Sequence, residues 1–89
     1  MKEILLMYLP GCPYCKMAEN MLEEWLAKEP KYQKLSIRRV NEAEEAAFAD
    51  SLDYYYVPCF YVDGAKLQEG VPTKKKIKAV LDAALEGGV

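Results

Sequence analysis

A strand-length apolar segment, Glu3 to Leu9, runs into Pro10-Gly11 and is followed at once by Cys12-Pro13-Tyr14-Cys15 and an amphipathic stretch. Pro-Gly is a strong breaker, so a strand must end there and hand Cys12 to the element that follows. From Pro13 onward Ala18, Met21, Leu22, Trp25 and Leu26 recur at helical spacing, with Glu19, Asn20, Glu23 and Glu24 opposite. Pro13 suits a first helical turn, where its missing N–H is not needed, and Pro30 lies just past the predicted end. The fold must therefore place two cysteines where a strand gives way to a helix.

The rest of the chain can be read around that junction. Lys34 to Val40 sets Leu35, Ile37 and the stem of Arg39 against Ser36, Arg38 and Val40, which predicts a second strand. Asn41 followed by Glu44 resembles an N-cap with its box partner, and Ala43, Ala46, Ala47 and Phe48 extend a predicted helix to about Leu52. Val57-Pro58 opens the run Cys59-Phe60-Tyr61-Val62, the turn Asp63-Gly64 closes it, and Ala65 to Glu69 returns as its hairpin partner. Pro72-Thr73 predicts the lead-in and N-cap of a last helix with the stripe Ile77, Val80, Leu81, Ala84 and Leu85, ended by Gly87-Gly88. The order βαβαββα contains two right-handed crossovers and a hairpin. It predicts an α/β fold with a four-stranded mixed sheet and helices on both faces. A chain of 89 residues, 52% of them hydrophobic, is expected to form one domain over residues 1–89.

Charge and composition narrow the function. A net charge of −2 with both signs interspersed offers no field for nucleic acid or an anionic membrane. The longest apolar run, Ile4 to Leu9, falls well short of the roughly 20 residues that span a bilayer. Only Lys2 precedes it and no small-residue cleavage site follows, so the expectation is a cytoplasmic monomer. Histidine is absent, which removes Ser/His/Asp and Cys/His nucleophilic catalysis and Cys/His zinc sites within this chain. Three cysteines, two of them three positions apart, make a poor structural disulfide framework and point to chemistry or metal binding.

At a strand-to-helix junction the unpaired backbone N–H groups and the helix dipole favour an anion. Cysteines in such settings typically titrate at roughly 3.5 to 7.5, against about 8.5 for a free thiol. Cys12 is the predicted nucleophile, and Cys15, one turn further and less exposed, the predicted resolving thiol. The alternative is a metal or iron–sulfur module in which Cys12, with Cys15 or Cys59, ligates the metal, although the chain lacks a second CxxC or a histidine pair. Cys59 reads as a small buried strand residue, with a third redox thiol or third ligand as its other readings. Tyr54-Tyr55-Tyr56 either walls a substrate groove or packs at a helix end.

Gly11-Cys12-Pro13-Tyr14-Cys15 after a strand, with Val57-Pro58 before another and Asp63-Gly64 in the turn, resembles the glutaredoxin branch of the thioredoxin superfamily over nearly the whole chain. The Pro13-Tyr14 filling and the absence of a carboxylate from Ile4 to Leu9 also point to that branch. The resemblance implies a thioredoxin fold and an oxidoreductase that reduces protein or mixed disulfides by dithiol exchange, with no tightly bound cofactor and no metal. It further implies disulfide-containing protein substrates and glutathione as reductant. Pro13, Tyr14, Val57, Pro58, Gly70 and Thr73 would bind substrate, with a cis bond at Pro58 and the Val57 backbone pairing with an extended substrate. Leu9 stands where the family has a lysine, and of its Gly-Gly-acidic segment only Gly70 is present, with Thr73 and Lys74 in place of acids. Thioredoxin reductase is accordingly the alternative donor. Lys74-Lys75-Lys76 is unfavourable at a helix N-terminus by a few tenths of a kcal/mol each, on the order expected for exposed charges. One of these lysines is therefore expected at the site rim, serving a substrate carboxylate or the Cys12 thiolate, unless all three are simply solvated.

Overall fold

The computed structural model describes residues 2–86. Its elements are β1 (Ile4–Tyr8), α1 (Pro13–Lys28), a 3-10 turn (Pro30–Lys34), β2 (Ile37–Asn41), α2 (Ala46–Asp50), β3 (Cys59–Val62), β4 (Ala65–Glu69) and α3 (Lys74–Glu86). The order is the expected βαβαββα. The strands lie in the sequence β2-β1-β3-β4, with β1 parallel to β2 and antiparallel to β3, and β4 antiparallel to β3. Asp63 and Gly64 both take positive φ, 50° and 84°, the paired left-handed conformation that lets a two-residue turn follow the strand twist.

β1 is apolar on both sides because both faces of the sheet are covered. Ile4, Leu6, Phe60 and Val62 pack on Ala18 and Leu22 of α1 and on Ile77, Val80, Leu81 and Ala84 of α3. Met7, Val40, Cys59 and Tyr61 face the other way, against Ala49, Phe48, Leu52 and Val57. Each fully buried aliphatic side chain contributes about 1.5–3 kcal/mol on transfer from water. Tyr32 is fully buried under the first layer; its hydroxyl donates to Asp82 Oδ1 at 2.5 Å and its ring meets Trp25 edge-on at 6.4 Å.

Two expectations are corrected. β2 begins at Ile37 rather than Lys34, because Pro30–Lys34 winds into the 3-10 turn that buries Tyr32, and the Leu35 N–H closes it on the Tyr32 carbonyl at 3.1 Å. The helix predicted from Asn41 to about Leu52 is reduced to Ala46–Asp50. The local box does form: Asn41 Oδ1 accepts the Ala43 and Glu44 N–H groups at 2.9 and 3.3 Å, and Asn41 Nδ2 donates to Glu44 Oε1 at 2.9 Å. Asn41 is, however, the last residue of β2, and the Glu42 N–H is still held by Tyr8 O at 3.0 Å, so the backbone there belongs to the sheet edge. The residues Glu42, Glu44 and Glu45 offer no apolar side chain to seat a longer helix, and helix nucleation is costly without such packing. At the other end the Ser51 hydroxyl takes the Phe48 carbonyl at 2.6 Å. The hairpin itself forms where expected, and its register carries an irregularity between Phe60 and Tyr61. Tyr61 pairs with Lys66 but Phe60 with Gln68, so Gln68 turns inward and Leu67 is left exposed.

Thr73 caps α3 as expected, its Oγ1 accepting the Lys76 N–H at 3.1 Å. The expected stop at Gly87-Gly88 lies outside the described residues. Among the described residues no helix is long and apolar enough to cross a membrane.

Candidate active site

Cys12 occupies the N-cap position of α1 in an extended conformation, with Pro13 as the first helical residue. Its N–H closes on the Leu9 carbonyl at 3.3 Å across Pro10-Gly11, where Gly11 takes φ 81°, a turn that only a residue without a Cβ makes without strain. The half-exposed Sγ makes no closed capping hydrogen bond, yet it lies over the open N–H groups of the first turn. The Cys15 N–H is the strongest influence and, with the Cys15 thiol and the Tyr14 N–H, it holds the Cys12 thiol below its ordinary value against partial burial and the charge of Glu42. Cys15 is moved the other way. Burial first, then the neighbouring Cys12, pushes it up to about 11, although the Leu9 N–H opposes the shift. One thiol of the pair is set to ionise and the other to keep its proton.

Met7 of β1 is paired with Cys59 of β3, so Pro58 lies at the same end of the sheet as the loop that carries Cys12. The Val57-Pro58 bond is cis, as the sequence resemblance implied, and Pro58 is buried. Its carbonyl accepts the Gly70 N–H at 2.9 Å, which brings the β4–α3 connection to the same place. The N–H and C=O of Val57 carry no hydrogen bond to any described residue, so this backbone edge is open. Pro13, Tyr14, Val57, Pro58 and Gly70 are thus gathered around one end of the sheet. Thr73 stands at the same end with its hydroxyl engaged as the α3 cap.

The family model for the thioredoxin domain matches residues 2–82. The chain belongs to the thioredoxin domain family. Comparison with curated protein sequences finds no significant match. Among solved structures, the thioredoxin domain is similar to oxidised thioredoxin from Plasmodium falciparum, with a TM-score of 0.68 at 19% identity over 92% of this chain and 79% of that one. A malarial protein is similar at TM-score 0.71 and 12% identity, covering 96% of this chain and 98% of its own. The zinc-bound form of human ERp44 is similar at TM-score 0.63 and 15% identity, over 96% of this chain but only 26% of that one. These likenesses establish the thioredoxin fold.

Other residues of the thioredoxin domain fall into place around the pair. Cys59 is fully buried on the α2 side among Met7, Val40 and Tyr61, and burial, reinforced by the charge of Glu69, pushes its thiol up to about 12. Among the described residues no three Cys, Asp or Glu side chains gather as a metal site. The three tyrosines divide between the two readings. Tyr54 packs half-buried and donates to Glu42 Oε1 at 2.6 Å, whereas Tyr55 and Tyr56 are 90% and 69% exposed. Lys74 does not face the site. Lys74 turns onto α1, where its Nζ meets Glu24 at 2.9 Å and lies over the Trp25 ring, and the Trp25 Nε1–H bonds its carbonyl at 2.9 Å. The charge felt by Cys12 is instead the opposing one of Glu42.

A groove of about 870 Å3 opens beside the pair on the β2 side, lined by Leu9, Pro10, Cys12, Cys15 and the ion pair of Arg39 Nε with Glu19 Oε1 at 2.6 Å. Sequence reasoning did not single out Glu42 or Glu69. Neither lies in a motif, and each acquires its neighbours only when β2 and β4 are placed.

Proposed function

We propose that this thioredoxin-domain protein reduces protein or mixed disulfides by a glutaredoxin-like dithiol mechanism. The reading is carried by the opposed protonation of one pair: a half-exposed Cys12 held below its ordinary value and a buried Cys15 held at about 11. The Cys12 thiolate attacks one sulfur of a substrate disulfide. That S–S bond breaks, a mixed disulfide forms on Cys12, and the departing thiolate takes a proton from solvent. Cys15 then loses its proton and attacks the Cys12 sulfur, releasing the second substrate thiol and leaving a Cys12–Cys15 disulfide. Two electrons have passed to the substrate, and an external thiol or a reductase returns them.

The open Val57 backbone beside Cys12 supports docking of an extended segment, with Pro13, Tyr14, Pro58 and Gly70 around it. The partners of this reading are disulfide-containing proteins in the cytoplasm, met by a monomer. Leu9 and Thr73 leave both glutathione and thioredoxin reductase as donors. The test is turnover of a glutathione mixed disulfide with glutathione and glutathione reductase, set against NADPH with thioredoxin reductase, for wild type and Cys12→Ser. Turnover with either donor that is abolished in Cys12→Ser supports the mechanism, and the competent donor names the electron source. Absence of turnover with both overturns it.

A further inference from the structure

We propose that Glu69 is a positioning residue that holds the Tyr55–Tyr56 backbone, and through it the open edge of Val57-Pro58, where a protein disulfide docks. The inference rests on the oxidoreductase reading for the identity of the docked ligand. Glu69 is the last residue of β4 and pairs with Cys59, so its side chain leaves the sheet on the α2 face, beneath the segment that leads into Pro58. One carboxylate oxygen, Oε2, accepts the N–H groups of both Tyr55 and Tyr56, the latter at 3.0 Å. The other, Oε1, is held by Lys66 Nζ at 3.0 Å.

The brace extends further along the same segment. Lys66 Nζ also donates to the Asp53 carbonyl at 2.7 Å, and the Tyr61 hydroxyl donates to Asp53 Oδ1 at 2.9 Å. Immediately after Glu69, the Gly70 N–H takes the Pro58 carbonyl at 2.9 Å. Glu69, at the end of β4, and Gly70, just beyond it, thus clamp the segment on both sides of Val57, whose own N–H and C=O stay open. With the Tyr55 and Tyr56 amides tied inward, their rings project into solvent beside the docking edge. Glu69 titrates at about 2, held down first by the Tyr55 N–H, then by the Tyr56 N–H and Lys66, so the brace stays charged at any physiological pH.

Bonds to an ionised acceptor are worth more than neutral ones, so removing the carboxylate leaves the Tyr55 and Tyr56 amides without the acceptor that holds them. Two readouts test this on the intact chain, using native disulfide-bonded insulin as the substrate and dithiothreitol as the reductant. Glu69→Ala is expected to raise KM for insulin about tenfold while kcat stays within about twofold, the pattern of lost uniform binding. Glu69→Gln keeps a carbonyl acceptor and is expected to recover most of the affinity. Independently of activity, amide exchange at Tyr55 and Tyr56 should accelerate in Glu69→Ala and stay protected in Glu69→Gln. Unchanged exchange in Glu69→Ala, or KM equal to wild type, overturns the role of Glu69. Wild type that fails to reduce insulin or a small disulfide overturns the oxidoreductase reading instead, and the exchange measurement still decides the brace.

Discussion

Alkylation of the three cysteines offers a quantitative check on the split between them. At about pH 8 a thiol titrating at 9.0, an upper bound for Cys12, is roughly one part in eleven ionised. Cys12 lies below that value and is at least as ionised. Cys15, at about 11, is roughly one part in a thousand ionised, a deficit of about ninetyfold. A more basic thiolate is the better nucleophile, and a Brønsted coefficient of roughly 0.4–0.5 over two units returns about six- to tenfold. The net expectation is that Cys12 reacts about ten times faster than Cys15 before burial is considered. Cys59, at about 12, loses roughly nine-hundredfold in ionisation and regains about twentyfold, leaving it about forty times slower. Near-complete burial of Cys15 and Cys59 widens both gaps. The assay is limiting iodoacetamide on fully reduced native protein, quenched early and mapped by mass spectrometry, repeated across pH for Cys12. Labelling of Cys15 or Cys59 within threefold of Cys12, or a Cys12 profile with its midpoint at or above 9.0, would falsify the assignment of roles.

Three further outcomes follow from the packing and the charges. Leu22→Ala empties a fully buried site between α1 and the sheet and should cost about 3 kcal/mol, seen as a drop of roughly 12–24 °C in Tm by circular dichroism. Glu42→Gln removes the charge that opposes the Cys12 thiolate, so thiolate absorbance should titrate at lower pH than in wild type; an upward shift contradicts the placement of Glu42. The reduced protein should lose stability as pH rises above 9.0, because unfolded thiols ionise there while folded Cys15 and Cys59 keep their protons until about 11 and about 12. Urea midpoints at about pH 8 and about pH 10.5 measure this, with Cys59→Ala giving a shallower decline.

How far the sequence reaches depends on the range of the interactions involved. The run Glu3 to Leu9, the Pro10-Gly11 stop and the apolar spacing after Pro13 are local signals, and they led directly to β1, α1 and a cysteine pair at their junction. Asp63-Gly64 located the hairpin by turn chemistry alone. The second helix was legible only in part, because the Asn41 box is local and forms, whereas the commitment of Asn41 to the β2 edge is not local.

The site divides along the same line. Adjacency in sequence determined that Cys12 and Cys15 lie together at the start of α1 and that helix N–H groups favour ionisation of Cys12, since these interactions span only a few residues. Whether Lys74 faced the site or Glu24 depended on how α3 packs on α1, which nothing near Lys74 encodes. The register of Glu69 is the clearest case. A plain two-residue hairpin from Val62 and Ala65 puts Gln68 opposite Cys59, and only the irregularity at Phe60/Tyr61 brings Glu69 there and within reach of the Tyr55 and Tyr56 amides. A one-residue slip reverses which side chains face each side of a sheet. The Asp63-Gly64 turn does not encode that irregularity, so the register belongs to the tertiary structure, in which Phe60 and Tyr61 are buried on opposite faces of the sheet.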